Sequence, residues 1–405
     1  MTRGAGWFSP PKALALKALG RIILTANPDV IYGLGFVDLK DGPLVFEAPP
    51  QMQGLLDDFW QRPLTDVGLA GPDQGKGGKY LLLPPGYTGE TPSGYFVMKS
   101  PTYGVFVFLR AFLVDGKTDA GVKLMEQSRI YPLAQKDNPA AMKFPDASGT
   151  PSDYNFKRDI RYFESLAAFI NHEPVAPEDM TMRGMAASLG IIKGQPFQPD
   201  ARMKALLNTA ADVAFKMAAV DDYDSRYPNK LIYPDRKWEV GFLGGSPVFR
   251  KDSYLDFDAM ISYFHKAFAT SNAMVLEMPG KGSQYLVGLR DADGDYLSGG
   301  TSYHLHVPAN VPAANYWSVV LYDADTRSLV DNGQPFPSIA SNSNLKPNAD
   351  GSSDIYFGPT APKAANANWV KTVPGRGYFA GVRLYAPTQA FFDKQWKPDD
   401  IVKVK

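Results

Sequence analysis

The first third of the chain carries short, mostly apolar runs of four to nine residues, which is a pattern typical of β-strands. Clusters of Gly, Pro and Asp separate the runs, as in residues 40–43 and 84–86. Short strands at this spacing predict an all-β sandwich. We also expect an amphipathic helix over 13–26, where Lys17 and Arg21 interrupt an apolar run, and a closing helix over 119–133. The predicted strands are 30–38, 44–47, 80–83, 95–99 and 105–112.

Helical periodicity replaces this pattern in the middle of the chain, after an irregular stretch at 138–153. Apolar residues recur three and four positions apart around 160–170, 203–217 and 260–268. Pro, Gly and Asp interrupt the gaps between these sets. The middle of the chain is therefore predicted to be a compact helical domain.

Strand patterning returns in the last third and continues to the end. With weaker runs included, about eight strands indicate a jelly-roll sandwich. The predicted class is α+β, mainly β, with domains at 1–145, 146–273 and 274–405. The clearest strands are 285–289, 303–307, 317–323, 355–357 and 378–385.

Composition narrows the classes of function. The 405 residues include 42 basic and 42 acidic side chains, so the chain lacks the basic excess of a nucleic-acid binder. It has no cysteine, which excludes disulfides, thiolate catalysis and iron–sulfur clusters. No apolar run has the length of a membrane span, and no signal peptide is recognised. We expect either a cytoplasmic protein or one whose leader is missing from this sequence.

The common catalytic and cofactor motifs are not found. The sequence has no nucleophile elbow, no zinc-protease helix motif, no dinucleotide fingerprint and no phosphate loop. We therefore expect no nucleotide cofactor.

Two histidines on one predicted strand carry the clearest chemical signal. His304 and His306 are two residues apart, so both side chains point to the same face of the strand. Two imidazoles on one face can bind a divalent metal ion with a carboxylate, or bind a substrate without metal. The alternative is a half-buried pair that forms hydrogen bonds within the sandwich. The candidate carboxylates are Asp291, Asp293, Asp323 and Asp354.

Aromatic side chains and an arginine accompany the histidines on neighbouring strands. Aromatic walls with a few polar groups bind sugars or small aromatic ligands, although each such residue can equally pack in a core. Arg383 lies on an otherwise apolar strand, so it must be paired or face a cleft. It can bind a substrate carboxylate, or it can pair with Asp323. The aromatic candidates for substrate binding are Tyr303, Trp317, Tyr322 and Tyr385.

The first domain offers a second group of candidates. Tyr32, Asp58 and Arg110 are polar or aromatic positions in otherwise apolar strands. These residues can line a cleft that faces the C-terminal domain, or they can pack at the interface between domains.

Several segments resemble a family of bacterial and viral proteins that pair two domains of unknown function, numbered 1254 and 1214. The resemblance implies an immunoglobulin-like sandwich, a helical domain and a C-terminal jelly roll. It also implies a periplasmic or secreted setting, and it names no reaction. The segments that carry it are 26–32, 37–39, 42–43, 56–60, 86–89, 109–110, 190–197, 303–308, 316–323, 350–352, 368–369, 378–387 and Trp396.

We expect a ligand cleft between the two β domains. One hypothesis is a hydrolase for a small organic or sugar-like substrate, in which His306 and His304 act as acid–base groups. Asp323 or Asp58 would orient them, and Arg383 would bind substrate charge. The alternatives are a non-catalytic protein that binds a glycan or small ligand, and a structural protein that forms homo-oligomers through exposed strand edges.

Overall fold

A computed structural model describes residues 24–114, 116–146, 156–363 and 367–404, together with the backbone of Ala15–Ala18. Strands account for 30% of the chain and helices for 21%, which confirms the predicted α+β, mainly β class. Among the described residues, no helix combines the length and the apolar character that a bilayer span requires.

The N-terminal part is a sandwich of two sheets. One sheet has the strand order β1-β2-β8-β4-β5, and the other has the order β7-β6-β3-β9. Phe46, Tyr80 and Val107 are fully buried between them. The elements in chain order are β1 (Ala15–Ala18), β2 (Val30–Asp38), β3 (Leu44–Ala48), β4 (Gln53–Asp58), β5 (Pro63–Val67), β6 (Gly78–Leu83), β7 (Phe96–Lys99), β8 (Gly104–Phe112), α1 (Asp119–Met125) and β9 (Arg129–Pro132).

Two predicted helices are wrong in part. Within 13–26, β1 forms a strand antiparallel to β2, because pairing with a sheet edge overrides local helix propensity. The rest of the segment up to residue 23 lies outside the described residues. The helix predicted over 119–133 ends at Met125, and β9 follows. Ile130 and Tyr131 point to opposite faces of β9 and enter different apolar clusters, which is strand periodicity.

The middle of the chain is helical, as predicted. Asp200 caps α4 by accepting a hydrogen bond from the Met203 backbone N–H at 2.7 Å. Phe163, Ile170 and Leu207 are buried together in the core of this region. The helices are α2 (Ile160–His172), α3 (Met180–Ser188), α4 (Ala201–Tyr223), α5 (Phe257–Lys266) and α6 (Asn272–Val275).

The C-terminal part is a second two-sheet sandwich. Its sheets have the orders β10-β11-β17-β13-β14 and β16-β15-β12-β18. Trp238, in the segment predicted as part of the helical domain, is buried in the core of this sandwich. Its elements are β10 (Glu239–Val240), β11 (Ser283–Gly288), β12 (Tyr303–Val307), β13 (Ala313–Asp323), β14 (Ser338–Ala340), β15 (Ser353–Gly358), β16 (Asn368–Lys371), β17 (Tyr378–Pro387), α7 (Gln389–Phe392) and β18 (Val402–Lys403).

The two sandwiches pack against each other sheet on sheet. Leu34 and Phe106 of the first sandwich share an apolar cluster with Val320 and Phe379 of the second. The Tyr322 hydroxyl donates to the Ala26 carbonyl at 2.9 Å across the same interface. This contact between sheets positions the candidate site.

Candidate ligand-binding site

A cavity of about 90 Å³ lies between the two sandwiches. Strands β2 and β8 form one wall, and β11, β13 and β17 form the opposite wall. Helix α5 and the segment after it, which includes Phe268 and Met274, line another side. A cavity of this size accommodates a molecule of a few heavy atoms, since an apolar cavity of about 150 Å³ holds benzene.

Strand alternation explains why these side chains reach the cavity. On β2, Ile31 enters the core of the first sandwich, whereas Tyr32 points to the opposite face and lines the cavity. Tyr32 is paired in register with Arg110 of β8. On β17, Val382 enters the core of the second sandwich and Arg383 faces the cavity. The period of two therefore brings groups from both β domains into one space.

Arg383 is the central cation of the cavity and is 7% exposed. Its Nε donates to the Tyr385 hydroxyl at 2.8 Å, and its Nη1 donates to the Tyr322 hydroxyl at 2.7 Å and to the Thr25 carbonyl at 2.9 Å. The guanidinium also lies 5.0 Å from the ring centroid of Tyr285. All these partners are neutral, so the guanidinium charge has no direct counter-ion within the described part of the chain.

Two further polar groups that line the cavity lack hydrogen-bond partners. The Arg110 Nε and the Tyr285 hydroxyl are both buried and unpartnered among the described residues. Arg110 does lie 5.5 Å from the ring centroid of Phe108. A buried donor without a partner costs about 1–3 kcal/mol. Such donors on the wall of a cavity indicate where a ligand or ordered water would accept a hydrogen bond.

Asp29 lines neither cavity, but it is an acid on which the Arg383 charge acts. Its Oδ2 is buried and has no hydrogen-bond partner among the described residues. Burial raises the pKa of Asp29 from 3.8 to about 6, against the opposing influence of the Arg383 charge. The carboxyl group can therefore take up and release a proton near neutral pH.

A second cavity of about 70 Å³ shares Arg110 with the first. Asp66, Lys281 and Tyr385 also line it. The Asp66 Oδ2 accepts the Ala273 backbone N–H at 3.2 Å. Burial raises the pKa of Asp66, and hydrogen bonds and the Arg110 charge partly oppose this shift. Arg110 thus lines both cavities.

Left-handed backbone surrounds these cavities at non-glycine residues. Thr25 and Ala269 line the first cavity with φ of 47° and 61°, and Ala386 lines the second with φ of 51°. Each such conformation costs about 1–3 kcal/mol and persists only where surrounding contacts hold it. The Gln61 Oε1 supplies one such contact by accepting the Ala269 backbone N–H at 2.6 Å. Strain of this kind is common at binding sites.

The two histidines lie on the same face of β12, as predicted, but they do not line either cavity. The His304 Nε2 and the His306 Nδ1 each lie 2.8 Å from the Asp354 Oδ1. Asn348 donates to the other Asp354 oxygen at 2.8 Å. Burial opposes ionisation of Asp354, but hydrogen bonds from His306, Asn348 and His304 hold its pKa at about 2. The arrangement is a half-exposed surface network.

The described residues do not form a metal centre at this pair. No group of three or more His, Cys, Asp or Glu side chains within the described ranges is arranged to hold a metal ion. At His304 and His306, both imidazoles instead contact one oxygen of Asp354. The predicted metal role of the two histidines therefore stays a prediction.

Other predicted site residues have local roles. Asp323 accepts hydrogen bonds from the backbone after β13 and pairs with Arg376 at 2.5 Å, so it contacts neither Arg383 nor the histidines. Asp58 pairs with Arg62 at 2.6 Å within a turn. Tyr303 and Trp317 are buried in the core of the C-terminal sandwich. These four side chains do not line the cavities.

The structure thus brings together Tyr32, Arg110, Tyr322 and Arg383, with Tyr385 bonded to the last of these. Sequence reasoning missed Tyr285 and the segment after α5, and it did not single out Asp29 as a site residue. Tyr285 had a usable signal, because it lies on β11 in register with Arg383 of β17. The segment after α5 carried no usable sequence signal, because its position beside the cavity depends on tertiary contacts.

Fold and site together define a protein with two sandwiches and a buried cationic cavity between them. The model for "Protein of unknown function (DUF1254)" matches residues 9–132, and the model for "Protein of unknown function (DUF1214)" matches residues 282–389. The chain therefore belongs to the proteins that pair these two domains, which confirms the resemblance seen in the sequence. A search of curated proteins found no match.

One solved structure with a similar course of the chain supports the fold. The chain is similar to the VPA0106 protein from Vibrio parahaemolyticus, with a TM-score of 0.55, 18% identity, and coverage of 94% of this chain and 90% of that one. An uncharacterised protein from Burkholderia cenocepacia aligns with a TM-score of 0.42, 15% identity, and coverage of 94% and 78%. At these identities the first likeness shows the fold alone, and the second carries no argument.

Proposed function

We propose that this protein binds a small organic carboxylate in the cavity between its two β domains. The observation that carries the proposal is the pair of buried, unpartnered donors, the Arg110 Nε and the Tyr285 hydroxyl, beside the Arg383 guanidinium. A carboxylate has two oxygens that accept hydrogen bonds and a charge opposite to both arginines. A carboxylate therefore offers acceptors for both unpartnered donors on the cavity wall.

The volume of the cavity limits the size of the ligand. About 90 Å³ gives room for on the order of six water molecules. An anion of four to six heavy atoms, roughly the size of propionate, is consistent with that volume. The aliphatic and aromatic wall formed by Leu55, Phe108 and Val287 favours an apolar tail beside the carboxylate. This volume favours a small organic acid over a glycan.

A hydrolytic activity is the second candidate, and Asp29 is the observation that favours it. Neither the two histidines nor Asp29 line the cavity, but the Arg383 charge acts on Asp29, and burial raises the pKa of Asp29 to about 6. An ionised Asp29 would serve as a general base for an attacking water, and Arg383 would hold the carboxylate of the substrate. Asp29→Asn would then abolish turnover of small carboxylate-bearing esters and leave propionate binding intact.

Thermal unfolding with matched ligands tests the binding proposal. Propionate and propionamide have nearly the same shape, but only propionate is charged. We expect propionate to raise the melting temperature, because a ligand bound only to the folded state stabilises it by about 2.7 kcal/mol at 100 times its Kd. Propionamide should have a much smaller effect. Arg110→Gln should reduce the propionate shift by at least half.

The control variant is Arg129→Gln, which removes an exposed arginine on β9, in the sheet of the first sandwich that lines neither cavity. It should keep the full propionate shift. Equal shifts with propionate and propionamide, or equal shifts in wild type and Arg110→Gln, would refute the proposed role of the cavity arginines.

A further inference from the structure

Helix α5 places a lysine on the wall of the first cavity. Lys266 lines this cavity together with Tyr263, three residues earlier on the helix, and with Ala267. The side chain of Lys266 is 9% exposed, so a basic amine is held almost entirely inside the protein. Lysine is seldom buried in this way unless its charge is paired. The partners of this amine therefore decide what it contributes to the cavity.

The charge of Lys266 is paired by an acid that does not line the cavity. The Lys266 Nζ lies 2.7 Å from the Oδ1 of Asp222, a buried residue of α4. The His265 Nδ1 lies 2.8 Å from the other oxygen of Asp222. Burial alone would raise the pKa of Asp222, but the Lys266 charge and the His265 hydrogen bond keep that pKa below 3.8. Lys266 and Asp222 therefore form a buried ion pair.

The positions along α5 explain how one side chain reaches both the ion pair and the cavity. The Ser262 Oγ donates to the Asp222 Oδ1 at 3.3 Å, so Ser262 marks the face of α5 that is turned to α4. Tyr263 marks the face that is turned to the cavity. At about 100° per residue, Lys266 lies about 40° from Ser262 and about 60° from Tyr263 around the helix axis. Lys266 is therefore at the boundary between the two faces.

The ammonium group of Lys266 has donors that Asp222 does not use. A lysine ammonium carries three N–H groups. Within the described part of the chain, Asp222 is the one acceptor that the Lys266 Nζ contacts. The remaining N–H groups are available to an oxygen atom in the adjacent cavity.

The charges around the cavity indicate what kind of oxygen this is. Three basic side chains, Arg110, Lys266 and Arg383, line the cavity, and no acidic side chain of the described ranges does. Arg383 contacts only neutral partners there, so it suits a carboxylate. Lys266 already contacts the carboxylate of Asp222, which would repel a second negative charge close to the Nζ. An uncharged carbonyl or hydroxyl oxygen accepts from Lys266 without that repulsion.

We propose that the ligand is a short oxo or hydroxy acid, whose carboxylate binds at Arg383 and Tyr285 and whose second oxygen accepts a hydrogen bond from Lys266. This inference rests on the proposed carboxylate site and specifies the class of its ligand. A second oxygen adds little volume, so such an acid is consistent with the same cavity of about 90 Å³. A plain alkyl acid would instead leave the remaining N–H groups of Lys266 without an acceptor, which is unfavourable.

Calorimetric titration of the full chain with matched acids tests the ligand class. Pyruvate, lactate and 3-hydroxypropionate are nearly the same size as propionate, and each carries one additional uncharged oxygen. The tightest of the three should bind at least about tenfold more tightly than propionate, which is the gain expected from one hydrogen bond to a charged group. Malonate carries a second carboxylate instead of the uncharged oxygen, and it should bind more weakly than the tightest of the three.

A charge-balanced double variant tests whether Lys266 provides this preference. Lys266→Met with Asp222→Asn removes both charges together, because loss of Lys266 alone would leave a buried carboxylate unpaired. This variant should bind propionate and the three other acids with affinities within about twofold of each other. The matched control, Lys230→Met with Glu239→Gln, removes an ion pair at 3.0 Å whose residues line neither cavity, and it should keep the full preference.

The possible results distinguish this inference from the proposed function. If propionate binds but none of the three acids is preferred, or if malonate binds most tightly, the oxo or hydroxy acid is the wrong class and the carboxylate site stands. If the preference persists in the double variant, Lys266 does not provide it. If no carboxylate binds, the carboxylate site itself is wrong. The comparison of ligands on wild type decides the ligand class even where the double variant does not fold.

Discussion

Replacing Asp29 by Asn should stabilise the protein at neutral pH and leave its stability unchanged in acid. Asn has nearly the same shape as Asp and no charge. In the folded state, burial raises the pKa of Asp29 to about 6 from an ordinary 3.8. The unfolded chain therefore releases this proton at lower pH than the folded chain does. The stability that the protonated group contributes is present below pH 3.8 and is lost as pH rises through about 6.

The rise in the pKa of Asp29 on folding determines how much the substitution changes the free energy of unfolding. A difference of about two units corresponds to at most about 3 kcal/mol, because each unit is worth 1.36 kcal/mol. The free energy of unfolding of the wild type falls by this amount between acid and neutral pH, whereas that of Asp29→Asn does not. The advantage of the variant in free energy of unfolding should grow from near zero at about pH 3 to about 2–3 kcal/mol at about pH 7.

Urea denaturation at several pH values measures this difference directly. Asp41→Asn is the matched control, because Asp41 is exposed and lies in a turn. Its effect on the free energy of unfolding should stay within about 0.5 kcal/mol at each pH. An Asp29→Asn advantage that is independent of pH, or that shrinks as pH rises, would refute the assignment of a raised pKa to Asp29.

Three further changes test other parts of the structure. Glu173→Ala should lower the free energy of unfolding by about 2–4 kcal/mol, because it leaves the backbone N–H groups of Tyr103 and Gly104 without their acceptor. Urea denaturation measures this change, and an unchanged denaturation midpoint would contradict it. Tyr285→Phe should raise the melting temperature slightly without ligand and reduce the propionate shift, since it removes an unpartnered buried hydroxyl. His306→Ala should lower the free energy of unfolding by less than about 1 kcal/mol and should preserve the propionate shift. Loss of that shift would indicate that propionate binds at the histidines instead of in the cavity.

Strand periodicity made much of the fold predictable. The strand at Val30–Asp38 has the predicted limits, and Tyr303–Val307 does as well. The helix predicted over 119–133 was wrong in its C-terminal part, where a strand forms instead. The run of apolar residues near Ile130 is too short to distinguish helical periodicity from strand periodicity. β4 and β5 were missed because their apolar runs are short and β4 carries acidic residues. Pairing with β8 fixes β4, and that contact is not local in sequence.

The candidate site was predictable in part. Arg383 stood out because a cation on an apolar strand needs a partner or a cleft, and it does line the cavity. The two histidines were a stronger chemical signal than Arg383. However, alternation along one strand predicts only which side chains share a face, and it does not predict which other residues that face contacts. In the structure, the histidine face of β12 meets Asp354 and solvent. Asp29 was not singled out as a site residue, because its raised pKa depends on burial in the folded chain.

Calorimetric titration of the purified chain with propionate, and separately with propionamide, tests the central claim most directly. We predict measurable heat and a one-to-one saturation curve with propionate, with a dissociation constant at least about tenfold lower than that for propionamide. Arg110→Gln should remove most of this preference for the charged ligand. Binding of both ligands with equal affinity, or no saturable binding of propionate, would contradict a carboxylate site formed by Arg110, Tyr285 and Arg383.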